Sequence, residues 1–248
     1  MANLRAVPSA SASGHRANRL LAAMNLEDFT RLEPHLEALQ LAAGRVLYES
    51  GETVRHAYFP HGCVVSLVAV LEDGASAEVA LFGCEGVLGY ASSLFSREAF
   101  GRYVVQVPGP ASRMPLGRLH EAAEASPRLR DLLQRYIEAL LAQTFQIVAC
   151  NAIHAVEARC CRWILSTQDR VGQADLPLTH EFLAEMLGVQ RSTVSLVVRA
   201  LQTAGLIRQG RGVISVSDRA GLEESACECY GAIRRNLERL LPHTYTNE

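Results

Sequence analysis

The residues best placed to do chemistry lie in "GVQRSTVSLVVRAL", Gly188 to Leu201. Read as a helix, this stretch puts Val194, Val197, Val198 and Leu201 on one side and Arg191, Ser192, Ser195 and Arg199 on the other. The chemistry of the polar side is recognition. Short hydroxyl side chains let a helix approach base edges, and forked guanidinium groups pair with guanine or phosphate. From Met186 to Ser217 there are four arginines and no carboxylate, although the whole chain carries a formal net charge of −2. A local basic surface on a slightly acidic protein fits contact with a phosphate backbone. A winged domain that binds protein instead is the alternative on these residues alone. All 24 basic residues are arginine, which reflects composition as much as function.

Other reactive residue types are scattered. Cys150, His154, Glu157 and Cys161 would share one face of a continuous helix, a candidate metal or redox site from which Cys150 and His154 are retained as possible ligands. Cys160 and Cys161 diverge by about 100° on a helix. Cys227 and Cys229 point to different sides of another, so all four read as small buried hydrophobes. An iron–sulfur centre of closely spaced N-terminal cysteines is excluded, because the first cysteine is Cys63. No His-Glu-x-x-His, lysine-bearing phosphate loop or nucleophile elbow appears, so no enzyme is expected. The 7 cysteines lack a disulfide framework, and neither a signal peptide nor an apolar run of ~20 residues is evident. The expectation is a cytoplasmic protein without a membrane partner.

The elements that must position these residues follow from patterning. Residues 1–18 are rich in Ser and Ala and read as a flexible tail. "RLLAAMNLEDFTRLEPHLEAL" has helical spacing, interrupted at Pro34. Between Gly44 and Pro115, short pieces such as "RVLYE", "VVSLVAV", "AEVALF" and "RYVVQV" predict strands of a compact antiparallel barrel or sandwich, with "EDGA" as a hairpin turn. Ser126 is a candidate N-cap and Pro127 a first helical residue. Leu129, Leu133, Tyr136, Leu140 and Ile147 then make one long seam, facing either the chain's own barrel or a second copy. A further helix begins near Ala155. Thr179 caps a short helix ending at Gly188, the next helix starts within three residues, and "LIRQGRGVISV" reads as a two-stranded wing with Arg208 and Arg211.

"LPLTHEFLAEMLGVQRSTVSLVVRALQTAGLI" resembles the DNA-binding domain of the Crp/Fnr family of bacterial transcription regulators. "VLYESGETVRHAYFPHGCVVSLVAVLEDGASAEVALF" is similar to the β-roll of cyclic-nucleotide-binding-type domains, with Gly51, Tyr58, Phe59 and Gly62 at its turn and core positions. The resemblance implies an α+β chain: a tail at 1–18, an antiparallel β-roll of double-stranded β-helix type at 19–125, a dimerisation helix and hinge at 126–153, and a winged helix-turn-helix at 154–248. It implies a homodimer on a two-fold-related DNA site, with RNA polymerase as a further partner. Arg191 falls where the family reads guanine, and Thr193 where it holds phosphate. Ser192 replaces a common glutamate, and Leu196 replaces a base-reading arginine. The candidate DNA contacts are Thr179, Gln190, Arg191, Ser192, Thr193, Ser195, Leu196, Arg199 and Arg211.

For an effector, the family's phosphate-and-ribose segment corresponds to "GCEGVLGYASSLF" and its surroundings, with Glu85, Gly86, Gly89, Tyr90 and Arg102 as candidate pocket residues. Tyr90 stands where a ribose-binding glutamate is expected, and "FGRY" where an Arg-Ser pair grips phosphate. Cyclic AMP is therefore not the expected effector, no cofactor is identified, and any small-molecule effector is unnamed. Two alternatives remain at this point: a redox- or metal-responsive regulator using Cys150 and His154, and a cyclic-nucleotide-type scaffold that binds no DNA.

Overall fold

A computed structural model describes residues 12–245. The N-terminal part forms three short helices, α1 (Ala12–His15), α2 (Arg19–Ala23) and α3 (Leu26–Leu32), followed by a 3-10 turn at Glu33–His35. Residues 1–11 of the expected tail lie outside the described residues. Residues 12–18 are not a tail: His15 and Asn18 are buried, and the Asn18 amide donates to the Pro60 and Gly86 carbonyls at 2.8 and 2.9 Å. Its Oδ1 caps α2 by accepting from the Leu21 N–H at 3.0 Å.

Seven strands make the roll: β1 (Glu37–Leu41), β2 (Val46–Tyr48), β3 (His56–Pro60), β4 (Val64–Val70), β5 (Ser76–Phe82), β6 (Arg102–Val107) and β7 (Gly109–Pro115). They form two antiparallel sheets, ordered β1-β7-β3 and β2-β6-β4-β5. The helical reading of residues 37–39 is corrected here. Pro34 ends the helix in the 3-10 turn, and Leu39 and Leu41 alternate with exposed or half-buried neighbours to pair with β7. The Asp-Gly hairpin joins β4 to β5, with Gly74 at φ +86° and the Leu71 N–H donating to the Ala75 carbonyl at 2.8 Å. Inside the roll, Tyr48, Tyr58, Phe82 and Tyr103 pack at ring separations of 5.7–6.2 Å.

Beyond α4 (Tyr90–Ser93) and α5 (Leu116–Ala125) runs α6 (Pro127–Ile153), capped by Ser126 Oγ accepting from the Leu129 N–H at 3.2 Å. Leu129, Leu133, Tyr136 and Ile147 are buried in the roll's own core, with Leu140 packed against it. Of the two partners left open for this seam, the chain's own barrel is the one it meets. The large apolar residues left open on α6 are Leu141, Phe145, Val148 and Ile153, at 50, 69, 53 and 78% exposure. By length and composition, α6 is long and apolar enough to cross a membrane.

α6 stops at His154, whose extended backbone (φ −86°, ψ 147°) separates it from α7 (Val156–Val171). Glu157 and Cys161 therefore leave the face carrying Cys150 and His154, and Cys161 enters the second core. The final unit contains β8 (Asp175–Leu176), α8 (His180–Leu187), α9 (Arg191–Thr203), β9 (Ile207–Gly210), β10 (Val213–Val216), α10 (Arg219–Ser225) and α11 (Cys229–Leu240). Its core is continuous with Val64, Val68, Leu81, Val104 and Val107 of the roll. Two buried polar links reinforce this docking. Trp163 Nε1 donates to Glu78 Oε2 at 3.0 Å, and Arg170 pairs with Glu85 at 2.7 Å. Burial pushes the Glu78 carboxyl up, against the hydrogen bonds from Ser66 and Trp163.

Candidate nucleic-acid interface

Thr179 Oγ1 accepts from the Phe182 N–H at 3.3 Å and starts α8. Gly188, at φ +62°, ends it in the left-handed conformation that favours glycine. The turn to α9 lets Leu183, Ala184 and Leu187 share a core with Val194, Val198 and Leu201. With those residues inward, α9 leaves Arg191, Ser192, Leu196 and Arg199 exposed, along with Gln190 before it. Leu196 is 66% exposed, as its position about 200° from Val194 requires. β9 and β10 pair as a hairpin, and Arg208 and Arg211 are exposed on it.

A polar groove of about 570 Å³ runs beside this face, lined by His180, Arg191, Ser195, Arg199, Gln202, Thr203 and Gln209. His180 ties three elements together. Its Nε2 meets the Gln209 amide at 2.9 Å, and its Nδ1 meets Ser195 Oγ at 2.9 Å. Ser195 Oγ in turn donates to the Arg191 carbonyl at 3.0 Å. A neutral histidine protonated on Nδ1 satisfies every bond in this relay. The hydroxyls of Thr179 and Ser195 are thus engaged within the domain, and Thr193 is half-buried.

The sequence reading missed Glu181. Its carboxylate pairs with Arg191 Nε at 2.7 Å, both side chains being largely exposed. The carboxyl is held below the ordinary range first by its own backbone N–H at the start of α8, and then by the Arg191 charge. Such an exposed pair adds little stability, and it engages only the Nε of the guanidinium. His180 was also missed. Its signal was its place beside the capping Thr179, but only the folded wing brings Gln209 to it.

The expected effector pocket does not assemble. Glu85 is consumed by Arg170, and Arg102 reaches Glu49 at 2.9 Å. A Cβ on Gly86 would lie 2.7 Å from the Tyr136 hydroxyl, so that glycine makes room for packing. Gly89 holds φ +89° against the His56 carbonyl, and Tyr90 is buried. Cys227 and Cys229, expected on different sides of one helix, instead converge with Cys150 and His154. Cys227 lies just before α11 and outside any helix, and its thiol is 3.4 Å from that of Cys150.

An antiparallel roll, a long helix and a winged helix-turn-helix with an exposed basic row define a DNA-binding regulator by class. Residues 158–225 match the model of the Crp-like helix-turn-helix domain. Curated relatives include the transcriptional regulator SdrP of Thermus thermophilus, 28% identical over 66% of this chain and 80% of that protein. The global nitrogen regulator of Synechococcus elongatus is 23% identical over 76 and 89% of the two chains. Among solved structures, a Crp/Fnr-family transcriptional regulator of Thermus thermophilus shares 26% identity, with a TM-score of 0.61 over 77% of this chain and 98% of that one. FixK2 of Bradyrhizobium japonicum, 16% identical, shares the fold with a TM-score of 0.65 over 77 and 98%. Residues 158–225 thus carry a Crp-like helix-turn-helix domain, on a chain similar over most of its length to Crp/Fnr-family transcription regulators.

Proposed function

We propose that this regulator binds duplex DNA as a homodimer, laying α9 of each copy in successive major grooves of a two-fold-related site. The observation that carries the reading is the exposed row Arg191, Ser192, Leu196 and Arg199, set beside a polar groove while Val194, Val198 and Leu201 are buried. Arg191 contacts a base, Leu196 meets a thymine methyl or sugar, and Arg199, Arg208 and Arg211 serve the phosphates. The two helices then stand about one helical turn, ~34 Å, apart. Leu141, Phe145 and Val148 supply the dimer face on α6. An effector chemically unlike cyclic AMP shifts the two copies and reorients α9. RNA polymerase is the further partner, and the place of action is the cytoplasm.

Selection of bound sites from randomised duplexes tests this directly. The expected result is a palindrome with half-site centres about 10 base pairs apart, bound with an affinity that falls steeply as salt rises. Recovery of no enriched sequence, with binding indifferent to salt, would overturn the reading.

A further inference from the structure

Three thiols and one imidazole meet where the end of α6 touches the start of α11. The candidate ligand atoms of Cys150, His154, Cys227 and Cys229 all lie within 4.8 Å of one another. Cys150 Sγ is 3.4 Å from Cys227 Sγ, and Cys229 Sγ is 3.5 Å from His154 Nδ1. A tetrahedral ion with metal–sulfur bonds of ~2.3 Å and metal–nitrogen bonds of ~2.0 Å needs edges of ~3.8 Å between sulfurs and ~3.5 Å from sulfur to nitrogen. The apex atoms thus already stand near the required spacing. A polynuclear iron–sulfur cluster distributes its thiolates over separate irons and needs a wider cage.

We infer that Cys150, His154, Cys227 and Cys229 bind one thiophilic divalent cation, zinc by preference, that staples α11 to the end of α6. Three surrounding features fit such a site independently of the four ligands. First, His154 Nε2 donates to Glu228 Oε1 at 3.1 Å, which leaves Nδ1 free for the ion. A carboxylate behind a ligating histidine fixes its tautomer and orientation. Second, the Gln146 amide donates to Cys229 Sγ at 3.0 Å, as suits a thiolate. Third, Arg159 and Arg162 are buried nearby, and neither forms an ion pair with a carboxylate among the described residues. Three thiolates, one neutral imidazole and a divalent ion sum to one negative charge, which offsets buried guanidinium charge.

The placement says what the ion does. Cys150 and His154 sit four residues apart at the C-terminal end of α6, on one face. Cys227 and Cys229 flank the N-terminus of α11, beyond the residues matched by the Crp-like domain model. Apart from this cluster, α11 is held by Ile233, Leu237 and Leu240 against the roll's core, and by Tyr230, which is buried in the second core and donates to Asp169 at 2.9 Å. The ion therefore adds a tie to the end of α6 at the N-terminal end of the helix, beside Tyr230.

The test uses the reduced full chain without DNA, so it is independent of the DNA-binding reading. Cobalt(II) titration should give one equivalent with visible bands of tetrahedral symmetry and thiolate-to-cobalt charge transfer, and zinc should displace it. Cys150→Ser and Cys227→Ser should each lose that spectrum, whereas Cys63→Ser should keep it. Glu228→Gln should keep the spectrum but weaken binding by ~10–100-fold. With zinc bound, tryptic cleavage at Arg234 and Arg235 in α11 should slow relative to the chelated chain. A reduced wild-type chain giving no thiolate charge-transfer band would overturn the site. Equal cleavage with and without zinc would overturn the staple.

Discussion

Arg191 and Leu196 share the exposed row of α9, yet they are suited to different contacts. Arg191 is exposed, and its Nε pairs with Glu181 while its two terminal nitrogens remain for another partner. Arg191→Ala should cost ~1–3 kcal/mol at a single base position of the selected site. Titrating the variant against duplexes substituted one base at a time checks this, and an equal loss on every duplex would reduce Arg191 to a phosphate contact. The sequence made Arg191 visible because helical periodicity and the lack of nearby carboxylates are local. Glu181 escaped because it lies ten residues earlier, on another helix. Only the sharp turn at Gly188 makes the two neighbours.

At the scale of the element, α6 carries two apolar faces, and periodicity alone cannot say what each one meets. Leu133 is fully buried against the roll, whereas Phe145 is 69% exposed. Leu133→Ala should destabilise the fold by ~2–5 kcal/mol, read from urea unfolding. Phe145→Glu should leave the protomer within about 0.5 kcal/mol of wild type, as surface changes usually do, but shift sedimentation from dimer to monomer. A Phe145→Glu chain that still sediments as a dimer would place the two-fold contact elsewhere.

For the whole molecule, the decisive contact is the docking of the DNA-binding unit onto the roll. Arg170, buried on α7, pairs with Glu85 and donates to the Gln143 side chain and the Ser166 carbonyl. It also faces the Tyr245 ring at 5.2 Å. Its pKa is raised by Glu85, in spite of burial that would lower it. Glu85→Gln leaves a buried guanidinium charge without its counter-charge, and should cost ~3–5 kcal/mol of stability. The double variant Glu85→Leu/Arg170→Met should recover much of that loss. Chemical denaturation of all three chains decides it, and a Glu85→Gln variant as stable as wild type would show the link to be incidental.

By itself the sequence determined the helix-turn-helix, the wing, the hairpin and the cap of the long helix, because caps, turn glycines and apolar periods act over a few residues. Only the tertiary structure decided which face of α6 turns inward, that Glu85 serves an ion pair, and that Cys227 and Cys229 face Cys150 and His154. Those partners lie far apart along the chain, and a side chain's local period specifies its direction from the backbone without specifying what stands opposite.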